Sequence, residues 1–435
     1  MKDEKIKQIL KLIEESLKED SELIPKRKFI PYSGAMYNQD EVLAAAEHVL
    51  RDYPRGWIGL GKKGDEFEKK LAKYIGKRHV IYANSGSSAS LIAISSLASN
   101  QLENRLNKGD EVITTASNFP TTLNPIIQNN LKPVFIDVEL GTYNPSIRQI
   151  EEAISKNTKL IVLTHTLGNP LEIEELYDLC KKNNIHLIED TCDALGSKYN
   201  GKMCGSFGEF GTFSFYPAHH ITTGEGGAVS TDNPQLKKIA QSMRDWGRDC
   251  WCAPGISNTC NRRFDKKYGE LPIGYDHKYV FSNVGYNLKP LEIQAILGLE
   301  QLKKLPEFEK KRKENFNRLY KEFKKYEEFL VLPKSPEKAE PCWFAFPLTV
   351  RENAPFNRET IINYFNENNI DLRMLFSGNI LKHPAYQGLE CKIVGDLKNS
   401  DTIMNNSFFL GVYPGIKSKE MDYIVGKIDE FMKKY

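Results

Sequence analysis

Hydrophobic positions along the chain follow two alternating rhythms. Ile6, Ile9, Leu10, Ile13 and Leu17 recur at helical spacing, which predicts an amphipathic amino-terminal helix lying against the main body or a second subunit. From Phe29 short apolar runs take over: HVIYA from His79, EVITTA from Glu111, KPVFID from Lys132, KLIVLT from Lys159, HLIED from His186 and GTFSF from Gly211. Helical stretches separate these runs, so the pattern predicts an α/β fold built from crossover units, its sheet mostly parallel and covered by helices on both faces. Residues 249–276 break the rhythm. There Cys250, Trp251, Cys252, Pro254, Gly255 and Cys260 precede a basic run, in a loop of a length that is usually either functional or disordered. A helical stretch then begins at Pro290, with an interruption predicted at Pro306, and leads into a second αβ region. The chain closes on a helix that Ser418 can cap, with Met421, Ile424, Val425 and Ile428 on one face.

Length sharpens this picture, because 435 residues exceed what one hydrophobic core usually serves. The expected organisation is an amino-terminal helix over 1–28, a large domain over 29–290 and a smaller carboxy-terminal domain over 291–435. A net charge of +3 gives no reason to expect nucleic acid or an anionic membrane as partner. No run of eighteen apolar residues occurs, and the amino-terminal segment is charged throughout, so a soluble cytoplasmic protein is expected. In that reducing compartment the eight cysteines are expected to be buried thiols, ligands or catalytic groups rather than a disulfide framework. Gly59, Gly61 and Gly64 spell a formal dinucleotide fingerprint, but the preceding residues DYPRGW do not read as a strand. The motif has meaning only between a strand and a helix, so nicotinamide binding is not expected there.

Candidate chemistry collects around strand ends. Asn84-Ser85-Gly86-Ser87-Ser88-Ala89 links the His79 run to a helical stretch; such a turn is either a capped helix start or a phosphate site, since it offers free amides and a positive dipole end. Asp190 closes the His186 run. A carboxylate at that edge either caps a turn or faces a ligand in the crevice that open α/β sheets form there. The stretch Gly211–Gly227, GTFSFYPAHHITTGEGG, leaves a short strand at Pro217 and presents His219 and His220 before a glycine pair. Cys192 follows Asp190, and Cys250, Cys252 and Cys260 share the long loop. Four thiolates can ligate zinc or an iron-sulfur cluster, although a C-x-C pair lacks the gap of structural zinc knuckles.

From about Phe29 to the carboxy terminus these segments resemble the sugar aminotransferase (DegT/DnrJ/EryC1/StrS) family. The resemblance implies an aspartate-aminotransferase-like large domain (pyridoxal phosphate fold type I) with a smaller α+β domain. Family members hold the coenzyme as a Schiff base on a lysine five residues after a serine; here His219 stands five residues after Ser214. By the same resemblance Gly86, Ser87, Ser88 and Ser214 contact the coenzyme phosphate, Phe119 stacks on the pyridine ring and Asp190 holds the pyridine nitrogen. Asn287, in Gly285-Tyr286-Asn287, reaches the phosphate of a neighbouring subunit, which implies a homodimer. Arg373, Ser377 and Asn379 contact substrate. The substituted histidine and the cysteine spacing further resemble the branch of 3-dehydrases that act on CDP-4-keto-6-deoxyglucose with pyridoxamine 5'-phosphate and a 2Fe-2S cluster. That branch implies Cys192, Cys250, Cys252 and Cys260 as cluster ligands, a nucleotide-sugar substrate and an NAD(P)H-dependent flavin and iron-sulfur reductase as partner.

An imidazole cannot form the Schiff base, so dehydration rather than transamination is expected. An imidazole, which in general titrates near neutral pH, suits a general base at C3 elimination; His219 is the first candidate for that role and His220 the second catalytic candidate. Other readings are a cluster-free dehydratase acting on GDP-4-keto-6-deoxymannose, a plain sugar aminotransferase and a non-enzymatic iron-sulfur regulator. Cys180, Cys204, Cys342 and Cys391 are expected as buried thiols.

Overall fold

All six apolar runs form strands of one sheet, because runs that are apolar on both faces can be covered only by layers above and below. The computed structural model describes residues 2–19, 29–55, 59–252 and 258–435. Pro254 and Gly255 of the long loop, and residues 20–28 of the amino-terminal segment, lie outside the described residues. The six strands are β1 (His79–Ala83), β2 (Glu111–Thr115), β3 (Lys132–Ile136), β4 (Thr158–Thr164), β5 (His186–Asp190) and β6 (Phe210–Ser214). Two more join them: β7 (Gly227–Thr231), and β8 (Lys392–Ile393) from the carboxy-terminal third. Their order across the sheet is β1-β7-β6-β5-β4-β2-β3-β8. All pairs are parallel except those of β7 with β1 and β6. Two antiparallel steps restore the direction, so the carboxyl ends of β1, β5 and β6 share one edge.

Helix α1 (Lys2–Glu19) packs on α2 (Gln39–Arg51), with Ile6 buried and Leu12 exposed. Helix α3 (Lys62–Ile75) follows the discarded glycine motif. Gly61 is its amino-terminal cap, and the Glu292 carboxylate accepts the backbone N–H groups of Gly61 and, at 2.6 Å, Lys63. A carboxylate thus already occupies the helix end at which a dinucleotide pyrophosphate would have to sit, and among the described residues no strand leads into the turn.

Helix α4 (Gly86–Leu97) starts at Ser85, whose Oγ accepts the Ser88 N–H at 3.0 Å. Helix α5 (Pro120–Gln128) has Pro120 in its first turn, where the missing N–H has no partner to lose, and α6 (Pro234–Arg244) is capped by Asn233. The helix expected to break at Pro306 runs unbroken as α7 (Glu292–Phe323). An interior proline costs about 3 kcal/mol, but Leu305 and Phe308 on either side are buried and hold the two halves in line. The first half packs on α2 and α3, the second against a separate four-stranded antiparallel sheet.

That smaller sheet is formed by 330–331, 345–350, 407–411 and 372–373. Its core includes Phe316 stacked on Trp343 at 4.6 Å. The closing helix Ser418–Met432 buries Met421, Ile424 and Ile428 as its pattern implies, but Lys417 rather than Ser418 holds the cap position. No helix among the described residues is long and apolar enough to cross a membrane.

Candidate active site

The shared carboxyl edge of β1, β5 and β6 gathers the residues that the sequence singled out. The turn after β1 and the end of β6 are in direct contact. A Cβ on Gly86 would stand 2.5 Å from the Ser214 Cβ, and one on Gly227 would meet the Ser85 carbonyl oxygen. Glycine is therefore required at both positions if the backbones are to approach so closely. The α4 amino terminus, with Ser87 exposed and Ser88 half-buried, thus stands directly against the Ser214 side chain. A helix end of this kind favours an anion.

Beside it, Asp190 is buried at the tip of β5. Its Oδ2 accepts the Thr122 hydroxyl at 2.6 Å and its Oδ1 accepts the Cys192 N–H at 3.2 Å. Thr122 lies one helical turn beyond Phe119, the residue preceding α5, so the same helix fixes both. Phe119 is 51% exposed and meets Phe376 edge-on, ring centroids 6.2 Å apart.

The two histidines diverge. His219 Nδ1 approaches Asp193 Oδ1 at 3.3 Å without hydrogen-bond alignment, and neither that nitrogen nor Asp193 Oδ2 finds a hydrogen-bond partner among the described residues. His220 is buried and donates from Nε2 to the Cys342 carbonyl oxygen at 2.8 Å. Burial, and then the neighbouring Arg312 charge, hold its ring well below the usual histidine range. A neutral ring bonded to a backbone oxygen suits a structural group better than the second catalytic one expected at His220. Arg312, on α7, is only 1% exposed. It donates to the carbonyl oxygens of Phe344 (3.1 Å) and His219 (3.2 Å), fixing the turn that carries the histidines. Burial brings its guanidinium down to about 10.

The remaining candidates scatter. Asn287 is exposed and its backbone bridges to Asp245. Ser377 donates to the Asn118 carbonyl, Asn379 donates to Asp401 at 2.7 Å, and Arg373 pairs with Asp371 while lying over the Tyr32 ring. His165, which follows the Lys159 run and could by sequence either border the pocket or sit in the core, is a core residue 3.1 Å from the equally buried Glu189.

Three of the four cysteines expected to share one cluster gather in the loop, where the Cys250 and Cys252 thiols interact and Cys252 faces the Cys260 backbone, but Cys192 stands apart. Cys192 sits at the carboxyl end of β5, whereas Cys250 and Cys252 line a cavity with Arg78 and His79 at the opposite end of β1. Between β5 and β1 lie β6 and β7, three strand spacings or about 14 Å. Cys260 Sγ is 3.8 Å from His277 Nδ1. Among the described residues no group of three or more Cys, His, Asp and Glu side chains is arranged to hold a metal. The thiols of one chain, as they stand, do not fit a 2Fe-2S centre.

The other edge does fit a phosphorylated pyridine. It combines an anion-binding helix end, a buried carboxylate, an exposed aromatic face and unpaired polar atoms at Asp193 and His219. Asp193, Thr122 and Arg312 are the residues that sequence reasoning missed. Asp193 had a faint signal, three positions past Asp190 in a strand-end turn, whereas Arg312 had none.

Residues 37–429 match the profile of the DegT/DnrJ/EryC1/StrS aminotransferase family. The chain is 48% identical to the lipopolysaccharide biosynthesis protein RfbH of Salmonella typhimurium, over 92% of this chain and 91% of that protein. It is 47% identical to the dTDP-4-dehydro-2,6-dideoxy-D-glucose 3-dehydratase of Saccharopolyspora spinosa, over 92% and 86%. Among solved structures it resembles the Escherichia coli GDP-4-keto-6-deoxy-D-mannose-3-dehydratase with bound hydrated PLP, with a TM-score of 0.81 and 28% identity over 92% of this chain and 98% of that one.

Proposed function

Because the chain belongs to the DegT/DnrJ/EryC1/StrS aminotransferase family, we propose that it removes the C3 hydroxyl of a nucleotide-linked 4-keto-6-deoxyhexose, with CDP-4-keto-6-deoxyglucose as the substrate its histidine and cysteine pattern favours. One observation carries this reading: an imidazole 3.3 Å from Asp193 Oδ1, rather than a lysine amine, occupies the turn after Ser214. The relatives named as 3-dehydratases of dTDP- and GDP-linked sugars support the reaction class.

Gly86, Ser87, Ser88 and Ser214 would hold the phosphate of the coenzyme, Phe119 would cover its ring, and Asp190 would keep the ring nitrogen protonated. Pyridoxamine phosphate supplies, when bound, an amine for the C4 ketone and a ring that withdraws electrons. His219 would accept at Nε2 the proton lost from the amine-bearing carbon of the bound coenzyme and would return it to the departing C3 oxygen, so that water rather than hydroxide leaves. Asp193 holds the Nδ1 side of the ring and stabilises the imidazolium that forms. His220 and Arg312 keep the turn rigid and exchange no proton. Asn287 is assigned to the phosphate site of a second copy in a homodimer. That assignment is supported by the apolar surface flanking it, where Tyr279, Phe281 and Leu291 are exposed and Val284 is 94% exposed.

Cysteine spacing supports a 2Fe-2S centre and a flavin and iron-sulfur reductase partner; the side-chain positions do not, so no step is assigned to a cluster. The separation of Cys192 from the loop thiols favours, as a second reading, a cluster-free dehydratase whose intermediate is resolved by hydrolysis. Iron analysis of anaerobically purified protein separates the two. Dehydration itself is tested by incubating the pyridoxamine-phosphate-loaded protein with CDP-, dTDP- and GDP-linked 4-keto-6-deoxyhexoses and following loss of the C3 oxygen by mass. Formation of a 4-amino sugar with the C3 oxygen retained would establish transamination instead.

A further inference from the structure

Next to the coenzyme edge lies a cavity of about 310 Å3, lined in part by Ser377, whose charged residues none of the roles above uses. Phe376 belongs both to its wall and to the edge-on pair with Phe119, so the cavity begins where the ring site ends. Its lining is one-sided in charge: Arg358, Lys382 and His383 contribute to it and no carboxylate does. Met374, Phe376 and Met404 supply apolar surface. Arg358 donates to the Met404 carbonyl oxygen, and among the described residues no carboxylate lies within ion-pair distance of it. Lys382 has only a loose partner, Asp401 at 3.7 Å, and that carboxylate already accepts Asn379.

The wall itself is under backbone strain. Phe376 adopts a left-handed conformation, φ 47°, which a bulky side chain keeps only when its surroundings force it. Those surroundings are the Ser377 hydroxyl on the Asn118 carbonyl and His383 Nε2 donating to the Ser377 carbonyl at 2.8 Å. Strain held in this way presents the Phe376 ring toward Phe119. It also leaves the Ser377 and Asn379 side chains engaged within the protein.

We propose that this cavity receives the nucleoside diphosphate portion of the substrate, with Arg358 and Lys382 on the phosphates and Met374 and Phe376 against the base. The proposal rests on the reading that the substrate is a sugar nucleotide. Its volume lies within the range of small-molecule sites, and a cationic wall facing an apolar one matches a ligand that joins a diphosphate to a flat ring. Guanidinium is suited to bidentate phosphate contact, whereas Lys382 acts as a point charge.

The test is calorimetric titration of the coenzyme-loaded protein with CDP, dTDP, GDP and inorganic pyrophosphate. At least one nucleotide should bind more tightly than pyrophosphate. Arg358→Ala should weaken that nucleotide about tenfold to a hundredfold, the loss of one charge-assisted hydrogen bond, and Arg358→Lys should weaken it less. Lys382→Ala, at a largely exposed side chain, should weaken it severalfold without altering thermal unfolding or the coenzyme absorption spectrum. Unchanged nucleotide affinity in both alanine variants would overturn the subsite while leaving the dehydratase reading intact. Pyrophosphate binding as tightly as every nucleotide would overturn the placement of the base. If no nucleoside diphosphate binds the wild-type protein, the sugar-nucleotide reading fails and this inference with it.

Discussion

Gly86→Ala tests the coenzyme cup most directly, because the perturbation is one methyl group at a known distance from a known neighbour. The added Cβ would stand 2.5 Å from the Ser214 Cβ and 3.1 Å from its Cα, where carbon atoms normally approach no closer than about 3.5 Å. Ser214 is in a fully buried strand, and its Cα cannot be moved by changing a rotamer. The α4 amino terminus and the end of β6 must therefore separate by about 1 Å. Overpacking of this kind typically costs about 1–3 kcal/mol of stability. Charge-assisted hydrogen bonds are short, about 2.7–2.9 Å, so a shift of that size removes at least one contact to phosphate and lowers coenzyme affinity about tenfold to a hundredfold. Titration of the apoprotein with pyridoxal phosphate, followed by absorbance, reads the affinity, and chemical unfolding reads the stability. Gly426→Ala is the control: it lies in the closing helix with nothing within 4 Å of the new Cβ, and alanine there should stabilise by about 0.5–1 kcal/mol. Combining Gly86→Ala with Ser214→Gly should restore part of the stability but not the affinity, because a phosphate contact is lost with the hydroxyl. Coenzyme affinity within twofold of wild type in Gly86→Ala would refute both the contact and the phosphate assignment.

His219→Asn should abolish C3-oxygen loss in single-turnover experiments while coenzyme and sugar nucleotide still bind; wild-type turnover in that variant would remove His219 from the role of base. His220→Gln should retain activity. Because burial and Arg312 hold the His220 ring well below 6.5, the unfolded chain binds the extra proton first. Stability therefore falls as pH drops below about 6.5, and urea midpoints at pH 7 and pH 5 should differ less in His220→Gln than in wild type. Glu292→Ala should lose about 1–2 kcal/mol, the worth of a helix cap, and neither it nor the wild type should bind NADH at the Gly59–Gly64 turn; saturable NADH binding abolished by a Gly61 substitution would contradict this.

What was legible in the sequence depended on whether the determining contact was local. The six long strands were readable because burial on both faces makes the apolar run continuous. The GAVST strand at Gly227 is no less buried, but its small and hydroxyl side chains give no such run. Pro306 was misread for the opposite reason: the local penalty was correct, and tertiary packing of Leu305 and Phe308 outweighed it. Asp190 was placed by its position at the end of an apolar run. The cysteine pattern could be read only as spacing, and spacing carries no information about the two strands that stand between β5 and β1.

The adjacent histidines show how a symmetric sequence feature becomes an asymmetric site. Consecutive residues in a turn point in different directions, so a single pair of backbone angles sends one imidazole toward Asp193 and the other into the core. The inward ring needs a partner for its buried N–H, and the Cys342 carbonyl supplies it. Arg312 then acts on both rings. Its hydrogen bond to the His219 carbonyl fixes the turn, and its charge, placed near His220 without a carboxylate bound to it, keeps that ring neutral. A cation in the core is expensive unless it is well bonded. Here it holds the backbone of the one residue whose imidazole remains within reach of the coenzyme edge. The divergence of the two imidazoles at positions 219 and 220 is therefore tied to a side chain on a helix almost a hundred residues downstream.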